Sequence, residues 1–236
     1  MLHNINILTN RKTAQADAPT YPELISGIKA WYKLKTGISV DGSNDVSLWA
    51  DSSGNTSEDM DLAPPASDND VAYDSSTGAM TFATADKSQL VTASDQLNLG
   101  AFTIFGVVDV VEAGASNEAV IGRAGNDEFR LFRGTVSANA RLRADGVNYD
   151  ITMSSNLPTG KFLFTLTRAS GGLVTIFIDG VSKGTVTTDV ADLFDFTRIG
   201  NAATDSLIYE ILIYNEELSS SNRTGVEANI NTRHGL

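Results

Sequence analysis

The groups available for chemistry in this chain are oxygens and guanidinium groups. There is no cysteine, and the only histidines are His3 and His234. Disulfide frameworks, thiolate metal sites and cysteine nucleophiles are therefore excluded. A Ser-His-Asp triad or a multi-histidine zinc site would have to be assembled from the two chain tails. Carboxylates are plentiful and unevenly placed. From Thr36 to Asp86 there is no Lys or Arg, while ten acids fall in that span: Asp41, Asp45, Asp51, Glu58, Asp59, Asp61, Asp68, Asp70, Asp74 and Asp86. The stretch is punctuated by DGSND, DSSGN and DSSTG, which marks it as mostly loop. One reading is a solvated acidic surface. The other is a calcium site, because Ca²⁺ collects carboxylate and carbonyl oxygens from such loops. The ordered EF-hand spacing is missing, so the candidate ligands are Asp51 and Asn55, which the short DSSGN turn could hold on one side.

Basic residues cluster in a different place. Arg123, Arg130, Arg133, Arg141 and Arg143 lie within one short region of an otherwise acidic chain, and Arg141 and Arg143 share a strand face. They could grip an anionic glycan or a partner's carboxylates. They could equally neutralise the acidic loops of their own domain. Arg123, Arg141 and Arg143 are the candidate ligand-binding cations. Trp49, Tyr73 and Tyr149 are the candidate stacking aromatics, and each could instead be a packing residue.

These groups need elements to position them, and the periodicity supplies strands. In Lys161–Thr185, Phe162, Phe164 and Leu166 alternate with Leu163, Thr165 and Thr167. That period of two is the pattern of a half-buried strand. Gly171-Gly172 breaks the run, and Val174, Ile176 and Ile178 resume it. Asp179-Gly180 then predicts a type I′ hairpin turn, because both central residues of that turn need positive φ. Residues 101–111, AFTIFGVVDVV, are apolar on both faces, as a strand covered from both sides would be. Trp31 in the first core segment reads as packing. A strand is expected at 196–200 and another in LIYEILIY at 207–214. The period then changes. LSSSNRTGVEANINTRHGL predicts one short helix, capped by Ser219 or Ser220, with Val226 and Ile230 on one face and Gly235 ending it. About a dozen strands and one terminal helix make an all-β antiparallel sandwich.

Residues 1–22 stand apart, being polar, without sustained period, and ending in Pro19 and Pro22. They are either a flexible terminus or an arm that docks on a partner through Ile5, Ile7 and Leu8. The sandwich domain is expected over 23–236. Net charge is −12, which argues against nucleic acid and anionic membrane as partners. No apolar run approaches the ~20 residues of a membrane span. The first residues do not form a secretory signal, since Arg11-Lys12 follow the apolar Ile5–Leu8 piece. The expectation is a chain that acts in the cytoplasm or leaves the cell by another route.

Several segments in this order resemble the concanavalin A-like lectin/glucanase superfamily, in particular its LamG-like jelly-roll modules. They are WYK at 31–33, WADSSGN at 49–55, FTIFGVV at 102–108 and IGR at 121–123. FTLTRASGGLVTIFIDGVSKGT at 164–185, RIGN at 198–201 and YEILIYNEELSSSNRTGVEANINTRHGL at 209–236 follow. The resemblance covers about residue 24 to the end. It implies a jelly roll of two face-to-face sheets, one concave and one convex, that binds sugars or protein surfaces, often with calcium. Some members are glycosidases, whose retaining forms hold two carboxylates about 5–5.5 Å apart. Their Glu-x-Asp-x-x-Glu signature is absent, and Asp179, Asp189, Glu216 and Glu217 fall in turns. The expectation is therefore a non-catalytic module.

Its expected setting is a phage virion surface, as a capsid decoration or fibre protein. The arm would attach it to capsid subunits or to sister copies, and a lectin-like domain would be displayed. The adhesive fold, the missing signal and the missing cysteines motivate that setting. The alternatives are a carbohydrate-binding module of an adhesin or secreted protein and, third, a glycosidase.

Overall fold

The alternating run at Phe162–Arg168 becomes an interior strand of one of two stacked sheets. The computed structural model describes residues 22–65, 70–83, 88–110, 118–123, 125–132, 140–200 and 206–236. The proposed arm anchors Ile5, Ile7 and Leu8, together with Arg133, lie outside the described residues.

From edge to edge, the first sheet runs Val181–Thr187, Leu173–Ile178, Phe162–Arg168, Phe102–Val110, Ser206–Tyr214, Ala79–Phe82 and Ala72–Asp74. Ile28–Tyr32 also pairs with Ser206–Tyr214, giving eight strands. The second sheet runs Val147–Ile151, Ala140–Ala144, Asp127–Leu131, Glu118–Arg123, Arg198–Gly200, Gln89–Thr92, Leu62–Ala63, Val46–Trp49 and Ile38–Val40. Leu97–Leu99 and Phe194–Phe196 form a separate two-stranded ribbon. All pairings are antiparallel, and the architecture is an all-β jelly-roll sandwich.

The turn at 179–180 forms as its residues require, with φ of 48° at Asp179 and 76° at Gly180. Asp179 Oδ1 also accepts from Leu163 N–H, so the turn is tied to the neighbouring strand. Phe162, Phe164 and Leu166 face the inter-sheet core with Ile104, Val108, Phe129 and Ile176. The opposite face of the same strand is buried as well, not half exposed as its alternation predicts. The C-terminal helix is the reason. Ser220–His234 lies on the outer face of the first sheet, where Val226 and Ile230 join Trp31, Phe105, Val107, Leu163 and Leu212 in a second apolar cluster. The small polar residues Thr165 and Thr167 therefore point at protein. Thr165 donates to Glu227 Oε1 of the helix at 2.9 Å. The helix caps match the sequence: Ser219 Oγ accepts from Asn222 N–H, and Gly235 ends the helix at φ 65°. Trp31 is buried, as expected of a packing residue.

Two expectations change. The acidic span 36–86 carries short strands at Ile38–Val40, Val46–Trp49, Leu62–Ala63, Ala72–Asp74 and Ala79–Phe82. Most are too short and polar to show a period, and pairing with neighbours holds them extended. The strand expected at 196–200 is two strands. Phe194–Phe196 belongs to the ribbon and Arg198–Gly200 to the second sheet, so the chain changes partners at Thr197.

Candidate functional site

Two turns and the ribbon meet at one place on the surface. Asn126 and Asp127 sit where Glu118–Arg123 turns into Asp127–Leu131, and Asp145 sits in the turn after Ala140–Ala144. Asp127 locks the two turns together: its Oδ1 accepts from Asp145 N–H at 2.8 Å, while Gly146 N–H donates to Asn126 O at 3.0 Å. Burial pushes the Asp127 carboxyl up from its usual range and Asp195 adds to that, while backbone N–H groups of Asp145 and Asp195 and the Arg123 charge pull the other way. Against these turns lies the ribbon, carrying Asn98 and Asp195 side by side in register. Arg123 reaches across and pairs with Asp195 at 2.7 Å. The result is a cleft of about 190 Å³ lined by Asn98, Arg123, Asn126, Asp127, Asp195 and Leu193, among others. Leu193 is 44% exposed. The cleft thus offers amides, carboxylates and one guanidinium beside a small apolar surface.

Arg168 is the residue that holds this arrangement in place, and sequence reasoning passed over it. Only 1% of it is exposed, at the end of Phe162–Arg168. Its guanidinium donates to Gly100 O at 2.9 Å, Asp189 O at 2.6 Å and Thr188 Oγ1 at 2.9 Å. One buried cation thereby ties the end of the ribbon strand Leu97–Leu99 to the loop that carries Ala191 and Leu193. Burial lowers its affinity for its proton, and Asp192, Tyr149 and Asp189 oppose that. In sequence it is one Arg ending an apolar strand, with no motif around it.

The predicted site residues separate into distinct roles. Arg123 is in the cleft. Tyr149 borders the same loop but acts as a clamp. Its hydroxyl donates to Asp192 Oδ2 at 2.5 Å and accepts from Asp189 N–H at 3.1 Å. Arg141 is engaged by both carboxylate oxygens of Asp150, at 2.5 and 3.2 Å. Arg143 Nε donates to Gly146 O at 3.3 Å. Arg130 pairs with Glu128, which also takes Arg198 at 2.8 Å. The described arginines of the basic cluster are thus bonded to this chain's own carboxylates and carbonyls, the arrangement of a patch that neutralises its own domain. Of the two alternatives for Trp49, platform or packing residue, the structure takes packing. Trp49 is fully buried in the inter-sheet core against Tyr32, with ring centroids 5.5 Å apart, and offers no ring face to a ligand. Tyr73 is half-buried on the Ala72–Asp74 edge strand and packs against the core.

Asp51 and Asn55, the candidate calcium ligands, are bonded to groups of their own loop and of the first strand. Asp51 Oδ1 accepts from the N–H groups of Trp31 and Ser53 at 2.7 and 2.9 Å, and its Oδ2 accepts from Ser53 Oγ at 2.6 Å. Asn55 Oδ1 accepts from Ser57 N–H and Oγ, while its Nδ2 donates to Glu58 at 2.6 Å. Trp31 N–H ties the loop to Ile28–Tyr32, and the Ser53 and Ser57 donors hold it internally. Among the described residues no three acidic or histidine side chains converge on one point.

A second cleft, of about 210 Å³, is lined by Lys29, Glu58, Gln96, Asn98 and Asn215 together with Leu97 and Leu99. Lys29 Nζ stands 3.5 Å from Glu58 Oε1. The Asn55 hydrogen bond is the main cause that lowers the Glu58 carboxyl below its usual range.

Fold and clefts together define an all-β jelly-roll sandwich with two polar clefts on its surface. No family model matches the chain, and no curated protein matches it. Solved structures do. Trypanosoma rangeli sialidase in complex with sialic acid is similar over 88% of this chain and 33% of its own, with a TM-score of 0.55 at 16% identity. The chain thus spans about a third of that enzyme's length. The binding domain of Botulinum neurotoxin DC in complex with SialylT matches over 89% of this chain and 52% of its own, TM-score 0.57, at 11% identity. Domain 4 of AbnA, a GH43 extracellular arabinanase from Geobacillus stearothermophilus, in complex with arabinotriose, matches over 85% and 98%, TM-score 0.55, at 19% identity. At such identities the shared property is the fold.

Proposed function

We propose that the protein is a non-catalytic carbohydrate-binding module whose sugar site is the Arg123 cleft. One observation carries the reading. Two locked turns and a ribbon braced by Arg168 present Arg123, Asn98, Asn126 and Asp195 around a shared space with Leu193 at its edge. Sugar hydroxyls both donate and accept, and amides beside carboxylates meet both needs. The apolar side chain suits the C–H face of a ring. Solved neighbours of this fold are in complex with arabinotriose and with sialic acid, which supports a glycan as the ligand class. The carboxylates support a binding role over hydrolysis, since Asp195 is paired with Arg123 and Asp127 is engaged by backbone N–H. A glycan array followed by titration calorimetry tests the site. Arg123→Ala is expected to weaken binding at least 10-fold, about 1.4 kcal/mol, and an unchanged affinity overturns the assignment. Release of reducing ends from a bound glycan would overturn the non-catalytic reading.

The finer setting is display on a virion surface, with residues 1–22 as the attachment arm. It is carried by the composition and by the unpatterned first residues. Proteomics of purified particles decides it: absence from every particle fraction removes the virion setting and leaves the sugar site standing.

A further inference from the structure

We infer that the two clefts are one groove for a neutral, linear oligosaccharide, with one sugar ring in each cleft and Asn98 between them. The inference rests on the sugar-binding reading above and adds the ligand's length and charge. Asn98 belongs to both linings, so the clefts meet at a single exposed side chain on the ribbon strand Leu97–Leu99. At about 190 and about 210 Å³, each cleft alone is smaller than the roughly 300 Å³ at which ligand sites usually begin. Together they reach that size. The second cleft repeats the chemistry of the first: Gln96, Asn98 and Asn215 contribute amides, and Gln96 Nε2 donates to Asn98 Oδ1 at 2.9 Å, orienting the shared amide. The floor between them is stiff. Leu97 and Leu99 are buried, their strand pairs with Phe194–Phe196, and Arg168 holds Gly100 O just beyond it.

Charge decides the ligand class. The first cleft sets Asp127, Asp145 and Asp195 against Arg123, and the second sets Glu58 against Lys29. Among the described residues neither cleft has a surplus cation, and the chain as a whole is acidic. An anionic sugar would meet repulsion in the first cleft and no compensation in the second. A neutral chain of hydroxyls avoids that penalty.

The test uses the full chain and an array of linear neutral oligosaccharides of one to six residues, arabinotriose among them, with sialylated counterparts. Titrations follow on the best-bound series. Affinity is expected to rise at least 10-fold from one residue to two or three, and then to level off. The double variant Gln96→Ala with Asn215→Ala changes two exposed side chains. It should erase that gain, so that affinity no longer rises with length, whereas Arg123→Ala weakens every length. Thermal melts confirm that both variants are folded. A single sugar bound as tightly as a trisaccharide overturns the groove and leaves the first cleft's role intact. So does a double variant without effect. Preference for the sialylated series overturns the charge assignment. No binding to any array member removes the sugar-binding reading and this inference together.

Discussion

At the scale of single residues, the most informative groups are buried charges. Glu210 is 1% exposed on the outer face of the first sheet. Burial alone would raise its carboxyl, but hydrogen bonds from His234 and Arg233, the Arg233 charge and the Trp31 indole N–H outweigh it and hold the value at about 2. Trp31 Nε1 stands 2.7 Å from Oε1, and His234 Nε2 and Arg233 Nε stand 2.7 and 3.0 Å from Oε2. The carboxylate thus ties the end of the helix to the sheet. Because the folded value lies below the unfolded 4.5, the stabilisation is fully present above pH 4.5 and is lost as pH falls towards 2. Urea melts from pH 7 to pH 3 should show this decline, and Glu210→Ala should flatten it. Removing one partner of a buried pair costs about 3–5 kcal/mol, so the variant should be much less stable at pH 7. Arg168 is the counterpart on the functional side. Arg168→Ala leaves Gly100 O and Asp189 O without their buried donor. That costs roughly 1–3 kcal/mol and should weaken glycan binding without touching any cleft-lining side chain. Melting curves read beside calorimetry check both effects.

At the scale of elements, packing explains residues that periodicity leaves unremarked. Phe102–Val110 is crossed by neighbours on both faces, and Gly106 lies where the ring of Phe164 comes closest. A methyl at Gly106 would collide with that ring and stand 2.9 Å from Ile211 Cδ1. Gly106→Ala should therefore cost about 1–3 kcal/mol by overpacking. Chemical denaturation should show a lower midpoint with an unchanged slope, since the surface exposed on unfolding stays the same. The helix and the 161–185 meander were legible in the sequence, because caps, a turn dipeptide and alternation are local signals. Between platform and packing, the sequence left Trp49 open for the converse reason, and only the stacking of the sheets places its ring against Tyr32.

At the scale of the whole molecule, the helix is a lid on a second apolar layer. Trp31, Phe105, Val107, Leu163 and Leu212 lie beneath it. A chain ending at Ser219 would bare that cluster, an apolar patch of the kind that drives association. It is expected to aggregate, and light scattering of the truncated protein against the full chain checks this. The net charge of −12 favours solubility of the intact molecule, and the described basic cluster spends its charge inside the domain.

The sequence by itself determined the strand-rich composition, the antiparallel meander, the capped terminal helix and the exclusion of thiol chemistry. Each of these follows from residue type or from spacing within a few positions. Only the tertiary structure decided which candidates form a site. Arg123 meets Asp195 across 72 positions, and Arg168 reaches Gly100 across 68. Asn98 lines both clefts, and the ribbon sets it beside Asp195, 97 positions away in the chain. Contacts across such distances are set by how two sheets stack and where their turns converge, and no local pattern of side chains encodes that.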